Sequence, residues 1–528
     1  MDEEWGHLTG KGTWDESEPG RLPPGRKPIR TKWIFKRKLH ADGSVARYKA
    51  RLVAQGFSQV EGEDYFETSA PVARMSTLRT VFSIAAARDF ELVSMDVDAA
   101  YLNAPVEEEL YVSLPDDFSP TLGRPFVRRL RKSLYGLKQS GKNWYNELHE
   151  FLTNIPDLTL TRSDVDPCLY VSRDEGGEPD LVIAVYVDDL AISGKEKSVE
   201  TFKRAINGRF QMKDLGELTQ VLGIEVVRDR SQGTITIHQG GYIREVLQRY
   251  DFEACRGVGT PVEGKVRNEV REPARSLKSV FKNIGNRIVS NAAKLEDHES
   301  REDNAVDKTY YRGIVGSLMY ASNGTRPDIA YAVHQAARHS ESPTQKDLTA
   351  CKRILRYLST TPNLGITYGA EGPSELTGYV DADWAEDVES RRSTTGYAFK
   401  LNGGAISWCS RRQQLVTLSS TEAEYVAAAE AGKEVLHLRS LLSSIGLGCR
   451  GSTVVFEDNK STIKLSEGSG AHCRTKHIGV RWHALRDWVR NGELSLEYIP
   501  TGLQQADILT KAVGRVKFQE LRGLLMSD

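Results

Sequence analysis

Hydrophobic positions along this chain fall into blocks, and the spacing within each block predicts its element. Leu181-Val182-Ile183-Ala184-Val185 and Leu190-Ala191-Ile192 are apolar runs of strand length on either side of Asp188-Asp189, the pattern of a hairpin with a polar tip. Leu92–Val97 is another strand-like run; it contains Asp96, and a turn or short helix follows it. Lys32–Lys38 and Ala46–Ala54 flank Asp42-Gly43, a strong hairpin signal. Residues 75–88 and 198–210 carry helical spacing, and residues 133–152 begin as a Gly-containing loop and continue as an amphipathic helix. Leu222–Val227 and Thr234–His238 predict a second hairpin around Gln232-Gly233. Beyond residue 370 a new unit begins: strands over 376–381, 393–401, 404–410 and 414–418, a helix over 421–444, a strand over 454–459, and a last helix opened by Asp507. Residues 1–30 show little periodicity and read as a loosely packed lead-in.

Length and composition narrow this picture. A chain of 528 residues exceeds one ordinary core, so two to four domains are expected. No apolar run approaches the ~18 residues of a membrane span, and Met1-Asp2-Glu3-Glu4-Trp5 lacks the layout of a signal peptide. Six scattered cysteines without a CxxC pair predict reduced thiols and an intracellular setting. His472-Cys473 and His477 lack the second ligand pair that zinc needs.

The net charge of −1 conceals an uneven distribution. Arg21–Val60 holds eleven Lys/Arg against Asp42 alone, and Arg124–Lys142 holds seven with no acid. Such one-signed stretches point to a polyanionic partner. Residues 263–308 run from a basic half into an acidic half with few large apolar residues, and read as a poorly ordered charged insertion.

Candidate chemistry sits in the acids. A turn accounts for one Asp; two adjacent ones repel unless a cation lies between them, and Mg²⁺ is commonly held by such carboxylates plus substrate phosphates. In the C-terminal unit, Asp381 and Asp458 end strands and Asp507 opens a helix. Glu422 and Glu424 share one helix and, two residues apart, point about 200° from each other.

Arg47–Phe57 (Arg-Tyr-Lys-Ala-Arg-Leu-Val-Ala-Gln-Gly-Phe), Met95-Asp96-Val97 with Ala100-Tyr101-Leu102-Asn103, Ser133–Ser140 (Ser-Leu-Tyr-Gly-Leu-Lys-Gln-Ser) and Tyr186-Val187-Asp188-Asp189 stand in that order. Downstream are Thr325-Arg326-Pro327-Asp328-Ile329, Lys352–Leu358, Ser419–Tyr425 and Thr475-Lys476-His477-Ile478. Together these motifs resemble the reverse transcriptase and ribonuclease H portion of the Pol polyprotein of copia-type (Ty1/copia) LTR retrotransposons.

The resemblance implies an α+β and α/β multidomain fold. A right-hand polymerase of fingers and palm spans 31–262 and a helical thumb or connection 309–370; a ribonuclease H-like domain occupies 371–528. It implies RNA-directed DNA synthesis at Asp96, Asp188 and Asp189, and RNA cleavage at Asp381, Glu424, Asp458 and Asp507. Glu424 is preferred to Glu422 because Ala423–Ala427 fits the family's helix pattern. Two Mg²⁺ per site are implied, with Mn²⁺ as a substitute. Lys49, Arg51 and Gln139 match nucleotide-contacting positions, Tyr101 the steric gate against a ribose 2′-hydroxyl, and Gly223, Ile224 and Glu225 the primer-gripping hairpin. Implied partners are an RNA template, a DNA primer, their hybrid and dNTPs, with no membrane; the chain reads as part of a polyprotein with protease and integrase elsewhere. The implied location is a cytoplasmic virus-like particle with access to the nucleus. A decayed relic that binds nucleic acid without catalysis is the rival reading.

Overall fold

The computed structural model describes residues 1–15, 22–39, 45–115, 127–264, 306–369, 372, 374–387, 390–468 and 479–526. The Asp42-Gly43 turn, most of the charged stretch and the His472/Cys473/His477 group lie outside the described residues. Helix α1 (Asp2–Gly10) precedes the hairpin β1 (Ile29–Leu39) and β2 (Val45–Ala54), and α2 (Met75–Arg88) leads into β3 (Glu91–Val97). Short strands β4 (Tyr111–Ser113) and β5 (Val127–Arg129) complete a sheet in the order β2-β1-β4-β5. A small core under this sheet contains Ile29, Leu52, Val112, Leu130 and Leu134. Leu8 and Trp14 belong to it too, and Trp5 packs on Trp14 with ring centres 5.1 Å apart. The expected loose lead-in is therefore corrected over residues 2–14: its few apolar side chains close a core supplied by residues far along the chain.

Helix α3 (Ser140–Thr153) precedes β6 (Thr161–Arg162), β7 (Leu169–Arg173), β8 (Pro179–Tyr186) and β9 (Asp189–Gly194). Then come α4 (Glu196–Arg209) and β10 (Met212–Glu217). The six-stranded sheet runs β10-β3-β9-β8-β7-β6. Leu181–Val185 and Leu190–Gly194 are buried throughout rather than alternately, as expected where a strand is covered on both faces. Helices α2 and α4 both pack on this strand pair.

Strands β11 (Gln220–Val221), β12 (Ile224–Asp229) and β13 (Thr234–His238) precede α5 (Gly240–Arg249). Helices α6 (Lys308–Gly324), α7 (Ala330–Ala337) and α8 (Gln345–Thr360) follow. Then β14 (Ile366–Gly369) returns to pair antiparallel with β13. Between α6 and α7 the Arg326 and Asp328 side chains are fully buried and doubly bonded, at 2.9 and 2.7 Å. Tyr357 donates to Asp328 at 2.6 Å, and Arg326 donates to the Thr361 carbonyl at 2.7 Å. Burial opposes the Asp328 charge, but the guanidinium outweighs it and holds that carboxyl below its usual range.

The last unit comprises β15 (Thr377–Asp383), β16 (Thr394–Leu401), β17 (Gly404–Arg412), α9 (Ser420–Ile445), β18 (Thr453–Glu457) and α10 (Lys460–Ser466). Helix α11 (Gly479–Arg490), β19 (Leu494–Tyr498), α12 (Asp507–Thr510) and α13 (Arg515–Met526) complete it. Its sheet runs β17-β16-β15-β18-β19, antiparallel over β17-β16-β15 and parallel over β15-β18-β19. Ser419 caps α9 through the Glu422 N–H, and Gly446 ends it at φ +99°. The expected strand over 414–418 is corrected. Thr417 bonds Ser393 and takes the Trp384 indole N–H on its carbonyl, so the segment bends into the α9 cap instead of pairing.

Helix α2 ties the two halves together. Arg79, buried on it, donates to the carbonyls of Ile406 (2.7 Å), Asn323 (2.8 Å) and Gly324 (2.9 Å), and its guanidinium lies 3.8 Å from the centre of the Trp408 ring system. One turn on, Ser83 donates to Leu401 and accepts from Asn402. Helix α2 of the six-stranded sheet, the end of α6 and the C-terminal sheet thus share one interface. The architecture is the mixed α+β and α/β multidomain fold expected.

Candidate active sites

In the six-stranded sheet, the β3–β9 register sets Asp96 directly opposite Asp189. The β8–β9 pairing closes at Tyr186 and Asp189, leaving Val187-Asp188 as a two-residue turn. Val187 has φ +57° and Asp188 does not share a positive φ, the pattern of a type II′ turn whose first position ordinarily takes glycine. A β-branched residue there stores strain on the order of 1–3 kcal/mol. The turn thus presents three carboxylates together. Burial pushes Asp188 up to about 6, aided by the Asp96 charge and opposed by Arg51. Burial and then Asp96 raise Asp189 as well. Asp188 Oδ1 is buried and finds no hydrogen-bond partner among the described residues.

A polar cleft joins Asp96 and Asp188 to Lys49, Arg51 and Tyr135, with Glu3, Glu4 and His7 of α1 along one side. Arg51 lies over the Tyr135 ring at 4.5 Å, and Tyr101 packs on Tyr135 at 5.1 Å. This placement depends on Gly136 (φ +91°): a Cβ there would come within 2.2 Å of the Ala54 carbonyl, and the close approach lets Ala54 N–H reach Tyr135 O at 2.7 Å. Tyr101 is half-buried; burial raises its phenol pKa, and the nearby Asp188 charge adds to the effect.

Gln139 stands apart from this cleft. Its amide donates to Asp64 O at 2.8 Å and accepts from Gln59 at 3.0 Å, with 1% exposure. In the expected primer hairpin, Leu222 (φ +49°) and Gly223 (φ +67°) form a tight turn, and Tyr320 of α6 donates to Leu222 O. Ile224 is core, and the Glu225 carboxylate accepts the Gly241 N–H at the start of α5. Of those three residues, Gly223 alone belongs to the turn itself.

The C-terminal unit gathers a second set. Carboxylate oxygens of Asp381 (β15), Glu424 (α9) and Asp458 (after β18) lie within 4.8 Å of one another. Glu422 points elsewhere: it accepts the Leu418 N–H at 2.6 Å ahead of the helix. Gly396 faces Asp381 across the β15–β16 pair, and a Cβ there would come within 2.5 Å of Thr510. The glycine lets α12 sit close above the sheet, so that Thr510 donates to Asp381. Asp507, also on α12 and fully buried, joins through cations: Lys511 lies 2.7 Å from Asp507 and 3.2 Å from Asp381, and Lys517 bonds Asp507.

Burial pushes Asp381 up to about 6 against the pull of Lys511, and burial plus three neighbouring acids raises Glu424 well above the usual range. Sequence reasoning missed the strongest of those neighbours. Glu457 is fully buried, accepts the Asn459 N–H at 2.9 Å on one oxygen and leaves the other unpartnered among the described residues. It also missed Lys511, although a basic residue four positions after Asp507 on a helix was a usable signal.

Residues 14–264 match the family model described as reverse transcriptase (RNA-dependent DNA polymerase). The chain is 39% identical over 526 residues to the retrovirus-related Pol polyprotein from transposon TNT 1-94 of Nicotiana tabacum, covering 99% of this chain and 37% of that one. It is 37% identical to the Pol polyprotein from transposon RE1 of Arabidopsis thaliana, covering 97% of this chain and 32% of that one. Nearly the whole chain is thus similar to Pol polyproteins of copia-type transposons. It spans about a third of the length of these Pol polyproteins. A shorter relative, the putative transposon Ty5-1 protein of Saccharomyces cerevisiae, matches along its whole length at 29% identity and covers 65% of this chain. Among solved structures, the foamy viral protease-reverse transcriptase in complex with an RNA/DNA hybrid aligns over 94% of this chain and 52% of its own at 14% identity and a TM-score of 0.44. Both acidic sets thus lie in the stretch shared with these Pol polyproteins, and only the first lies inside the reverse transcriptase match.

Proposed function

We propose that this chain copies RNA into DNA at Asp96, Asp188 and Asp189 and cuts the RNA strand of the resulting hybrid at Asp381, Glu424, Asp458 and Asp507. One observation supports the reading: each half gathers acids around strand ends, Asp96 opposite Asp189 beside the Asp188 turn in one and Asp381, Glu424 and Asp458 in the other, and each set includes a buried carboxylate oxygen without a hydrogen-bond partner among the described residues. Asp188 Oδ1 and Glu424 Oε2 are such oxygens, and they fit a divalent cation better than they fit an apolar surrounding. Mg²⁺, or Mn²⁺ in its place, would be held by these acids and would stabilise charge on the attacking and leaving oxygens of a phosphoryl displacement.

The chain's own residues supply the rest. Lys49 and Arg51 receive the triphosphate of an incoming dNTP at the open end of the cleft. The Tyr101 ring, backed by Tyr135, crowds the position of a ribose 2′-hydroxyl. The one-signed stretches at 21–60 and 124–142 bind the template–primer backbone by displacing counterions. Lys511 balances Asp381 and Asp507 before substrate arrives. The working boundaries are 31–262 for fingers and palm, 309–370 for the connection and 371–528 for the cleavage domain; the remaining Pol domains, the particle and entry to the nucleus belong to the whole element.

Two variants of the full chain test the reading. Asp188→Asn abolishes primer extension on an RNA template and leaves hybrid cleavage intact; Asp458→Asn does the reverse. A wild-type chain that binds primer–template yet performs neither reaction is the decayed relic.

A further inference from the structure

We infer that Trp144 is a positioning residue for DNA synthesis, whose indole N–H fixes the central peptide of the Val187-Asp188 turn and so aims the Asp188 carboxylate. The inference rests on the polymerase reading of the palm. The turn holds a valine at φ +57°, a conformation that a β-branched side chain resists. Left to itself, the peptide between Val187 and Asp188 can flip, rotating Val187 ψ and Asp188 φ and turning the Val187 carbonyl over. Such a flip reorients the bonds at the Asp188 Cα and hence its side chain.

Two hydrogen bonds oppose that flip. Trp144 Nε1 donates to Val187 O at 2.8 Å, and the Val97 N–H donates to Asp188 O at 3.2 Å. The second comes from the strand that carries Asp96, so the turn is slung between β3 and α3. The first acts on the carbonyl that has to move. Trp144 itself has no freedom to follow: it is 1% exposed, its ring meets Phe210 edge-on at 5.3 Å, and Leu148 and Leu152, one and two turns on, are buried in the same core. The side chain reaches the backbone of the turn rather than any carboxylate or the nucleotide cleft, which makes its role one of aim.

The test uses the full chain. Trp144→Phe keeps most of the ring packing and removes the donor; 3-benzothienylalanine at position 144 keeps the ring shape and removes only the N–H. Both are expected to lower kcat for single-nucleotide incorporation about tenfold, the worth of one hydrogen bond lost near a reacting centre, with KM for dNTP changed less than about twofold. Hybrid cleavage by the C-terminal site of the same chain stays at the wild-type rate, which certifies the fold. Adding Val187→Gly to Trp144→Phe recovers at least about a third of the lost rate, because glycine occupies the first position of such a turn without a steric drive to flip the peptide. Exchange of the ¹⁵N-labelled Trp144 indole proton reads the bond without any catalysis, and slow exchange is expected. An unchanged kcat in the benzothienylalanine variant, a loss that Val187→Gly fails to relieve, or fast indole exchange in the wild type overturns the inference. A wild type with slow exchange and no DNA synthesis leaves the hydrogen bond standing and sinks the polymerase reading, and with it the role assigned to Trp144.

Discussion

Replacing Arg79 with methionine tests how firmly the two halves of the chain are joined. The guanidinium donates to three backbone carbonyls, two at the end of α6 and one in β17, and stacks on Trp408. Charge-assisted bonds of this kind are worth about 1.5–3 kcal/mol each against an unmade bond. The guanidinium is itself costly to bury, as its pKa, pushed down to about 10 by burial, records. Methionine recovers that desolvation and much of the packing, but strands three buried carbonyls. The net expectation is a loss of about 3 kcal/mol in unfolding free energy. Arg79→Lys should do little better, since one ammonium on a flexible stem lacks the fork that spans three acceptors. Equilibrium urea unfolding of the full chain reads the stability. Mapping RNA cuts relative to the primer 3′ end reads the geometry, with a single sharp spacing in the wild type and a broadened one in Arg79→Met. Stability within about 0.5 kcal/mol of wild type, together with unchanged cut positions, would falsify the claim that Arg79 fixes this interface.

Glu424→Gln should abolish hybrid cleavage, whereas Glu422→Gln, which keeps an acceptor for the Leu418 N–H, should leave it within about twofold; the opposite ranking, in a cleavage assay, refutes the assignment. Tyr101→Val should lower discrimination against ribonucleotides by about tenfold or more, and unchanged selectivity in single-nucleotide incorporation returns Tyr101 to a packing role. His334 bridges α7 and β17 by accepting the Arg412 N–H, and burial, followed by the charges of Arg338 and Arg412, pushes its pKa down to about 4. The folded state therefore takes up this proton less readily than the unfolded chain, whose histidine titrates near 6.5. Stability should hold above that pH and fall by about 2 kcal/mol between pH 7.5 and 5. His334→Gln should flatten that slope in urea titrations at the two pH values, and parallel pH profiles would remove His334 as its source.

What could be read from the chain was whatever repeats locally. The palm hairpin, helix α2, the α9 register that separates Glu424 from Glu422, the strands carrying Asp96 and Asp381, and the strand leading into Asp458 all announce themselves by period and by a carboxylate at a fixed place. What could not be read depended on a distant partner. Leu8 and Trp14 look idle until Ile29, Leu52 and Leu130 surround them. Edge strands β10 and β19 carry weak patterns and exist because β3 and β18 offer them a free ladder. Gln139 and Glu225 carry the residue types of contact positions, yet their polar atoms meet Gln59, Asp64 and Gly241, partners whose approach only the fold decides. Glu457 passed unnoticed beside Asp458 because a single strand residue gives no sign of what lies across from it.

The buried Arg326–Asp328 pair bears on how such a chain drifts. Removing either partner alone leaves an uncompensated charge in the connection and costs about 3–5 kcal/mol, while exchanging both for well-packed apolar residues is often neutral or better. Tyr357 and Thr361, which complete the shell, would have to change in step. Every single-substitution path out therefore descends through an unstable intermediate, though sequences of equal stability lie on the far side. The pair persists because it is hard to leave, and among copies of an element free to accumulate changes, Arg326 and Asp328 should be lost together or not at all.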